Sequence, residues 1–334
     1  MSFQHIMGQD VAKKMLQSAL RNHTVNHAYV FSGPPGSGQM NMAQIFAKAL
    51  FCERQTDDAC GECLSCRKVE HGNHPDLHIV EPDGATIKID QIRGLQRIFS
   101  YKSESSNPKV YIIRQADTMT VQAANSLLKF LEEPQIPVVG ILISENGQAL
   151  LPTIQSRTQQ VPFHALQPEV MMQALIGEGY TAGLVRSVVH IASGLESCRE
   201  ILQQNWFAEI RNVVLQLVKE SMSRGSSSII LAQQKIFKTG LSEHLDILFH
   251  LFHLFHLWFK DMLHFRYGRH ESIVFIDHLE SVSKLAITRS TEQWVSYMDL
   301  AANCRKKLRF HVNGQLCVEQ LLIGLSDTSG SITG

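Results

Sequence analysis

Apolar positions change their spacing about halfway along the chain. In the first half, short unbroken apolar runs alternate with stretches spaced by three and four. DVAKKMLQSAL (10–20) sets Val11, Met15, Leu16, Ala19 and Leu20 at helical spacing, with Asp10 read as the N-cap. AYVFS (28–32), LHIV (77–80), ATIKI (85–89), KVYIIR (109–114) and VVGILIS (138–144) have the short apolar character of buried strands. Helices are expected over MNMAQIFAKAL (40–50), from Asp90 to about Ser100, and over VQAANSLLKFLEE (121–133), stopped by Pro134. SESSNP (103–108) reads as a polar loop. Strands alternating with helices predict a parallel sheet covered on both faces.

Past Pro162 the strand signals fade. PEVMMQALIGEG, LVRSVVHIASG and ESCREILQQNW predict short helices to about residue 206. A second helical block follows from 207, with SRGSSS (223–228) read as an interhelical loop and the Gly/Ser/Thr tail as disordered. The fold class expected is therefore α/β followed by all-α. Its parts are 1–162, 163–206, 207–330 and a tail at 331–334.

Composition narrows the partners. The 334 residues are 44% apolar and 19% charged with zero formal net charge, so sizeable cores are expected. No chain-wide field would draw the chain to nucleic acid or an acidic membrane. MSFQHIMGQD lacks the regions of a signal peptide, and VVGILI is too short to span a bilayer, so a cytoplasmic, non-membrane protein is expected. Seven cysteines, four of them between 52 and 66, fit a reducing compartment.

The candidate chemistry starts at GPPGSGQM (33–40). Gly33, Gly36 and Gly38 stand where a phosphate-binding loop G-x-x-x-x-G-K-[ST] has its glycines, between a strand and a helix. Gln39 replaces the lysine and Met40 the metal-binding hydroxyl, so the backbone cradle is kept without the charge or the Mg²⁺ ligand. The acids that hold Mg²⁺ at the end of a later strand are also missing. VYII (110–113) runs into Arg114 and Gln115, and Asp117 comes too late. Loss at both places predicts a chain that does not bind ATP productively.

Cys52, Cys60, Cys63 and Cys66 follow C-x7-C-x2-C-x2-C. Four thiolates can close a tetrahedral structural Zn²⁺ site, with Fe–S ligation as the alternative. His71 and His74 could replace a cysteine, but HGNHPD reads as a turn. His250, His253 and His264 fall on a narrow arc and read as a polar stripe on a buried helix, and Cys198, Cys304 and Cys317 as core residues. Glu132 and Glu133 are adjacent on a helix and do not face one another, so they are not read as an acid pair.

HAYVFSGPPGSG, the four cysteines, NSLLKFLEEP and LPTIQSR together resemble the clamp-loader branch of the AAA+ proteins over roughly residues 1–160. The missing lysine and acids narrow the resemblance to the delta-prime subunits of bacterial DNA polymerase III clamp loaders. It implies a RecA-like AAA+ domain with the zinc module at 52–66, a helical lid and a helical collar that assembles five subunits. It also implies delta and tau/gamma ATPase subunits as partners in that hetero-pentamer, and primer-template DNA and the sliding clamp through the assembly. The chain alone would catalyse nothing, but would belong to a polymerase holoenzyme and an ATPase assembly. Ser156, Arg157 and Thr158 match the family's Ser-Arg-Cys, so Arg157 is expected to act in trans on a neighbour's ATP. The lid arginine of G-S-L-R is displaced here: Ser197 stands at its place and Arg199 two residues later. Ser144 to Asn146 lie near the family's sensor without an assigned role. Two other readings are an active motor ATPase of the same loader and a stand-alone zinc-dependent DNA-binding module.

Overall fold

In the computed structural model the described residues are 2–54, 56–100, 108–132, 137–223, 226–240, 245–310 and 312–326. Glu133, Pro134, most of the SESSNP stretch and the tail from 327 lie outside them. Two compact units divide the chain, Met1–Leu166 and Gln167–Gly334.

The first unit is built on five strands: β1 (Ala28–Ser32), β2 (Leu77–Val80), β3 (Lys109–Ile113), β4 (Val138–Ser144) and β5 (Gln159–Pro162). They pair in the order β2-β3-β4-β1-β5, every pairing parallel. Period-two alternation sends side chains to two cores. Tyr29, Phe31, Ile112 and Ile141 face a core shared with α1 (Asp10–Arg21), α2 (Gln39–Phe51) and α3 (Leu64–Glu70). Val30, Tyr111, Ile113 and Leu142 face a core shared with α4 (Ile89–Ser100), α5 (Val121–Glu132) and α6 (Pro152–Gln155). Both faces are thus covered, as the near-continuous apolar runs require. Gly140 in β4 leaves room for the Tyr111 ring, whose atoms would lie 2.3 Å from an added Cβ.

Three expectations are corrected here. ATIKI is not a strand. It makes only isolated bridges (Asp83 with Thr86, Ile87 with Met119) before α4 begins at Ile89. The fifth strand is instead QQVP, whose polar edge sequence carries little strand signal and which is ordered by pairing with β1. Asp10 is the first residue of α1 rather than its cap. Gln9 caps it in left-handed conformation (φ 57°), its carbonyl taking the first helical bond from Lys13 N.

The second unit contains α7 (Pro168–Gly177), α8 (Ala182–Val188), α9 (Leu195–Leu202), α10 (Asn205–Ser223), α11 (Ser226–Ala232), α12 (Leu245–Arg266), α13 (Leu279–Ala286), α14 (Thr291–Leu308) and α15 (Gly314–Ser326). α11 begins inside the stretch read as an interhelical loop. α12 buries Phe252, Phe255, Trp258, Phe259 and Met262. Its Asp261, fully buried, accepts from the backbone N–H groups of Val274 and Phe275 at 2.8 to 3.1 Å. Arg211 on α10 donates to Ser187 Oγ at 2.9 Å and Asp277 Oδ1 at 2.5 Å, and lies over the Phe275 ring. α14 ends in Arg305, Lys306 and Lys307, cations that complement the negative end of a helix dipole. No helix among the described residues is long and apolar enough to cross a membrane.

Candidate functional site

The glycine loop leaves β1 at its carboxyl end and enters α2, the crevice where open parallel sheets place their ligands. Gly38, at φ 93°, is the left-handed residue from which α2 departs, and a side chain there would be strained. Gly33 is required by packing. A Cβ on it would lie 2.3 Å from the Phe163 carbonyl oxygen, because the chain leaving β5 bonds back through Phe163 N to Ser32 O.

Gln39 turns back onto the loop that precedes it. It is buried, and its Nε2 donates to Gly33 O at 2.8 Å and Pro34 O at 3.1 Å, the loop's own carbonyls. Ser37 Oγ also donates to Pro34 O, at 2.8 Å. Met40 packs against the core beneath α2. The loop is held from outside by Gln9, which the sequence reading passed over. Its Nε2 donates to Ser37 O and His164 O, and its Oε1 accepts from His164 N. The signal available for it was weak, a polar residue just before a helix.

At the ends of β3 and β4 the charge pattern is unlike a Mg²⁺ site. Arg114 forms an ion pair with Glu81 at 2.6 Å, and Gln115 turns the chain in left-handed conformation. Asp117 Oδ1 and Ser144 Oγ are buried without a hydrogen-bond partner among the described residues. The Ser144 carbonyl accepts from Gly33 N at 3.2 Å, tying β4 to the loop. In the second unit Arg199 is held by two carboxylates, Glu178 and Glu196, and its hydrogen bonds to Glu178, with its charge, keep that carboxyl below the usual carboxylate range.

Arg157 follows α6, in a turn where its N–H donates to Ile154 O. Its Nη2 meets Glu132 Oε1 at 2.7 Å, and its Nη1 donates to Thr153 O at 3.0 Å and Ser156 Oγ at 3.4 Å. The pair is open to solvent, with Arg157 37% and Glu132 48% exposed. Thr158, where the family pattern has cysteine, spends its hydroxyl on Ile154 O at 2.9 Å.

The four cysteines converge. Their Sγ atoms all lie within 4.8 Å of one another, and Cys60 Sγ is 3.8 Å from Cys66 Sγ. Two thiolates of a tetrahedral zinc site at about 2.3 Å from the ion stand about 3.8 Å apart, so the donor set fits such a metal. Backbone N–H groups of Cys60, Cys63 and Cys66 donate to the sulfurs of Cys52, Cys60 and Cys63, each at 3.4 Å. Those of Cys63 and Glu62 bring the Cys60 thiol down to about 6, whereas burial pushes the Cys66 thiol well up, so the cluster without a cation would not carry four thiolates. Cys52 and Cys66 are buried in the core beside α2 and α3, so the cluster is part of the packing.

A family model described as DNA polymerase III, delta subunit, matches residues 8–167. The DNA polymerase III subunit delta' of Bacillus subtilis is 35% identical over 320 residues, covering 94% of this chain and 95% of that protein. The tau subunit of the same organism is 36% identical over 177 residues, 52% of this chain and 30% of tau. A solved gamma subunit-related protein from Thermotoga maritima covers 94% of this chain and 98% of its own, at 18% identity and a TM-score of 0.48. Likeness to tau extends over about half of this chain, whereas likeness to the delta' subunit runs through both units and nearly the whole length of both proteins. The chain belongs to the delta-prime subunit family of DNA polymerase III.

Proposed function

We propose that this chain is a non-hydrolysing, stator-like subunit of a clamp loader, which supplies Arg157 in trans to the ATP site of a neighbouring subunit. The observation that carries the reading is the hydrogen bonding of Gln39. In a working loop the lysine at this place carries its charge to the β and γ phosphates. The Gln39 amide instead bonds to the Gly33 and Pro34 carbonyls, so the loop is closed by its own side chain. Arg114, paired with Glu81, puts a cation where the hydrolytic acids would stand. Arg157 is exposed, and a guanidinium delivered to a γ-phosphate stabilises the charge that develops there during transfer.

The partners under this reading are delta and tau/gamma ATPase subunits, with primer-template DNA and the sliding clamp reached through the assembly. The four cysteines hold a structural zinc, which would cross-link the end of α2 to α3 and leave no open position for catalysis. In the test, the isolated chain shows no steady-state ATP hydrolysis. Arg157→Ala leaves the reconstituted loader assembled while lowering single-turnover hydrolysis at the flanking site by about 10³-fold. Turnover by the isolated chain, abolished by altering Gly38, would return the motor reading. Unchanged hydrolysis in the Arg157→Ala loader would remove the trans role.

A further inference from the structure

We infer that Glu132 is the positioning residue for Arg157, holding the guanidinium extended and ordered at the surface before a neighbour's phosphate reaches it. The inference deepens the trans reading above and rests on it. Glu132 is the last described residue of α5, two positions before Pro134, which cannot continue a helix, so it lies near the helix's negative end, where the dipole disfavours a carboxylate. Its local helix gains nothing from that charge, but its Oε1 lies 2.7 Å from Arg157 Nη2. A side chain placed against the local rule and paired across two elements marks a site built for something other than helix stability.

The remaining contacts fix the orientation. Thr153 O and Ser156 Oγ take Nη1 from one side, and Glu132 takes Nη2. Nε has no hydrogen-bond partner among the described residues. An arginine carries five donors in a planar fork, so a guanidinium pinned at these points still offers N–H groups to an incoming oxyanion. The ion pair is half open to water, which makes it weak enough to yield to a phosphate. What it supplies is order. A free arginine must give up its rotamer freedom on reaching the phosphate, and a held one has already done so.

The test uses the complete loader, reconstituted from full-length chains with wild-type ATPase and delta subunits, and single-turnover hydrolysis at the site flanking this chain. Glu132→Ala is expected to lower that rate about fivefold without changing the ATP concentration for half-saturation. Glu132→Gln, which keeps an acceptor oxygen at the same reach, is expected to recover most of the loss. In an Arg157→Ala background, Glu132→Ala is expected to have no further effect, because its action runs through the arginine. A Glu132→Ala rate equal to or above wild type overturns the assignment. So does an equal loss in the Arg157→Ala background, which would make Glu132 merely structural. If Arg157→Ala alone leaves the rate unchanged, the trans reading falls and takes this assignment with it, whereas the first two outcomes leave the trans reading standing.

Discussion

A Cβ at residue 33 would stand 2.3 Å from a backbone carbonyl, and backbone cannot swing aside as a side chain can. Gly33→Ala is therefore expected to destabilise the first unit by about 2 kcal/mol or more, read from chemical denaturation, whether or not any nucleotide is present. This changes what the glycine pattern means. Gly33 is required by the close pass of Phe163 and Gly38 by its φ of 93°, so both are needed by the fold whatever residue stands at position 39. Gln39 bears on reversibility. Replacing Gln39 by Lys and Met40 by Thr restores the loop sequence but not the acids at the end of β3. Under the non-hydrolysing reading the double variant should still show no steady-state ATP turnover as an isolated chain, and measurable turnover would mean that Arg114 and Gln115 do not prevent hydrolysis. Both substitutions at 39 and 40 were visible as letters. That the Gln39 amide bonds to the loop's own carbonyls required the three-dimensional path of residues 33 to 39.

The cysteine module links α2 to α3 through a donor set of four sulfurs, two of them in the core. Metal removal by a chelator, or Cys60→Ser, is expected to loosen this element first. Amide protection should drop across α3 while β3 and β4 keep theirs, and metal analysis should fall from about one ion per chain to none. Equal exchange with and without metal would show that the cluster holds nothing structural. The spacing C-x7-C-x2-C-x2-C was enough to propose the site because ligand spacing is a local property. Strand identity is not local, and there the reading failed in both directions. ATIKI is β-branched yet left with isolated bridges, since the turn at Asp83–Thr86 and the start of α4 at Ile89 leave it too little length. Gln159–Pro162 is polar yet becomes a strand, because β1 offers it an unpaired edge.

At the scale of the whole molecule, ionisation of the second unit should be visible in stability. Burial holds the imidazoles of His190, His250, His256 and His264 below their ordinary range, and pushes His253 down to about 4. Such groups stay neutral in the fold while the unfolded chain takes up protons near pH 6.5. Their contribution is thus present above 6.5 and lost as pH falls towards 4, with His253 alone worth on the order of 3 kcal/mol. Asp261, raised to about 6 by burial, runs the other way: its contribution is present below 3.8 and lost as pH rises through 6. Five histidines outweigh one carboxylate, so the unit should lose stability between pH 6.5 and 4. All three tryptophans lie in this unit, so their fluorescence reports its unfolding, and His253→Gln should reduce the slope by at most about 1.4 kcal/mol per pH unit. A slope unchanged by that substitution would contradict the burial argument. The sequence by itself determined the α/β-then-helical order, the glycine loop with Gln39 and Met40 in it and the cysteine cluster, because each rests on residue type and short spacing, whereas Arg157 stood out only through resemblance to the clamp-loader family. Tertiary structure alone decided which edge became the fifth strand, why Gly33 is needed, that Gln9 clamps the loop and that Glu132 meets Arg157. Those facts join residues 25 to 155 positions apart, and only the folded path of the chain brings such residues within reach of one another.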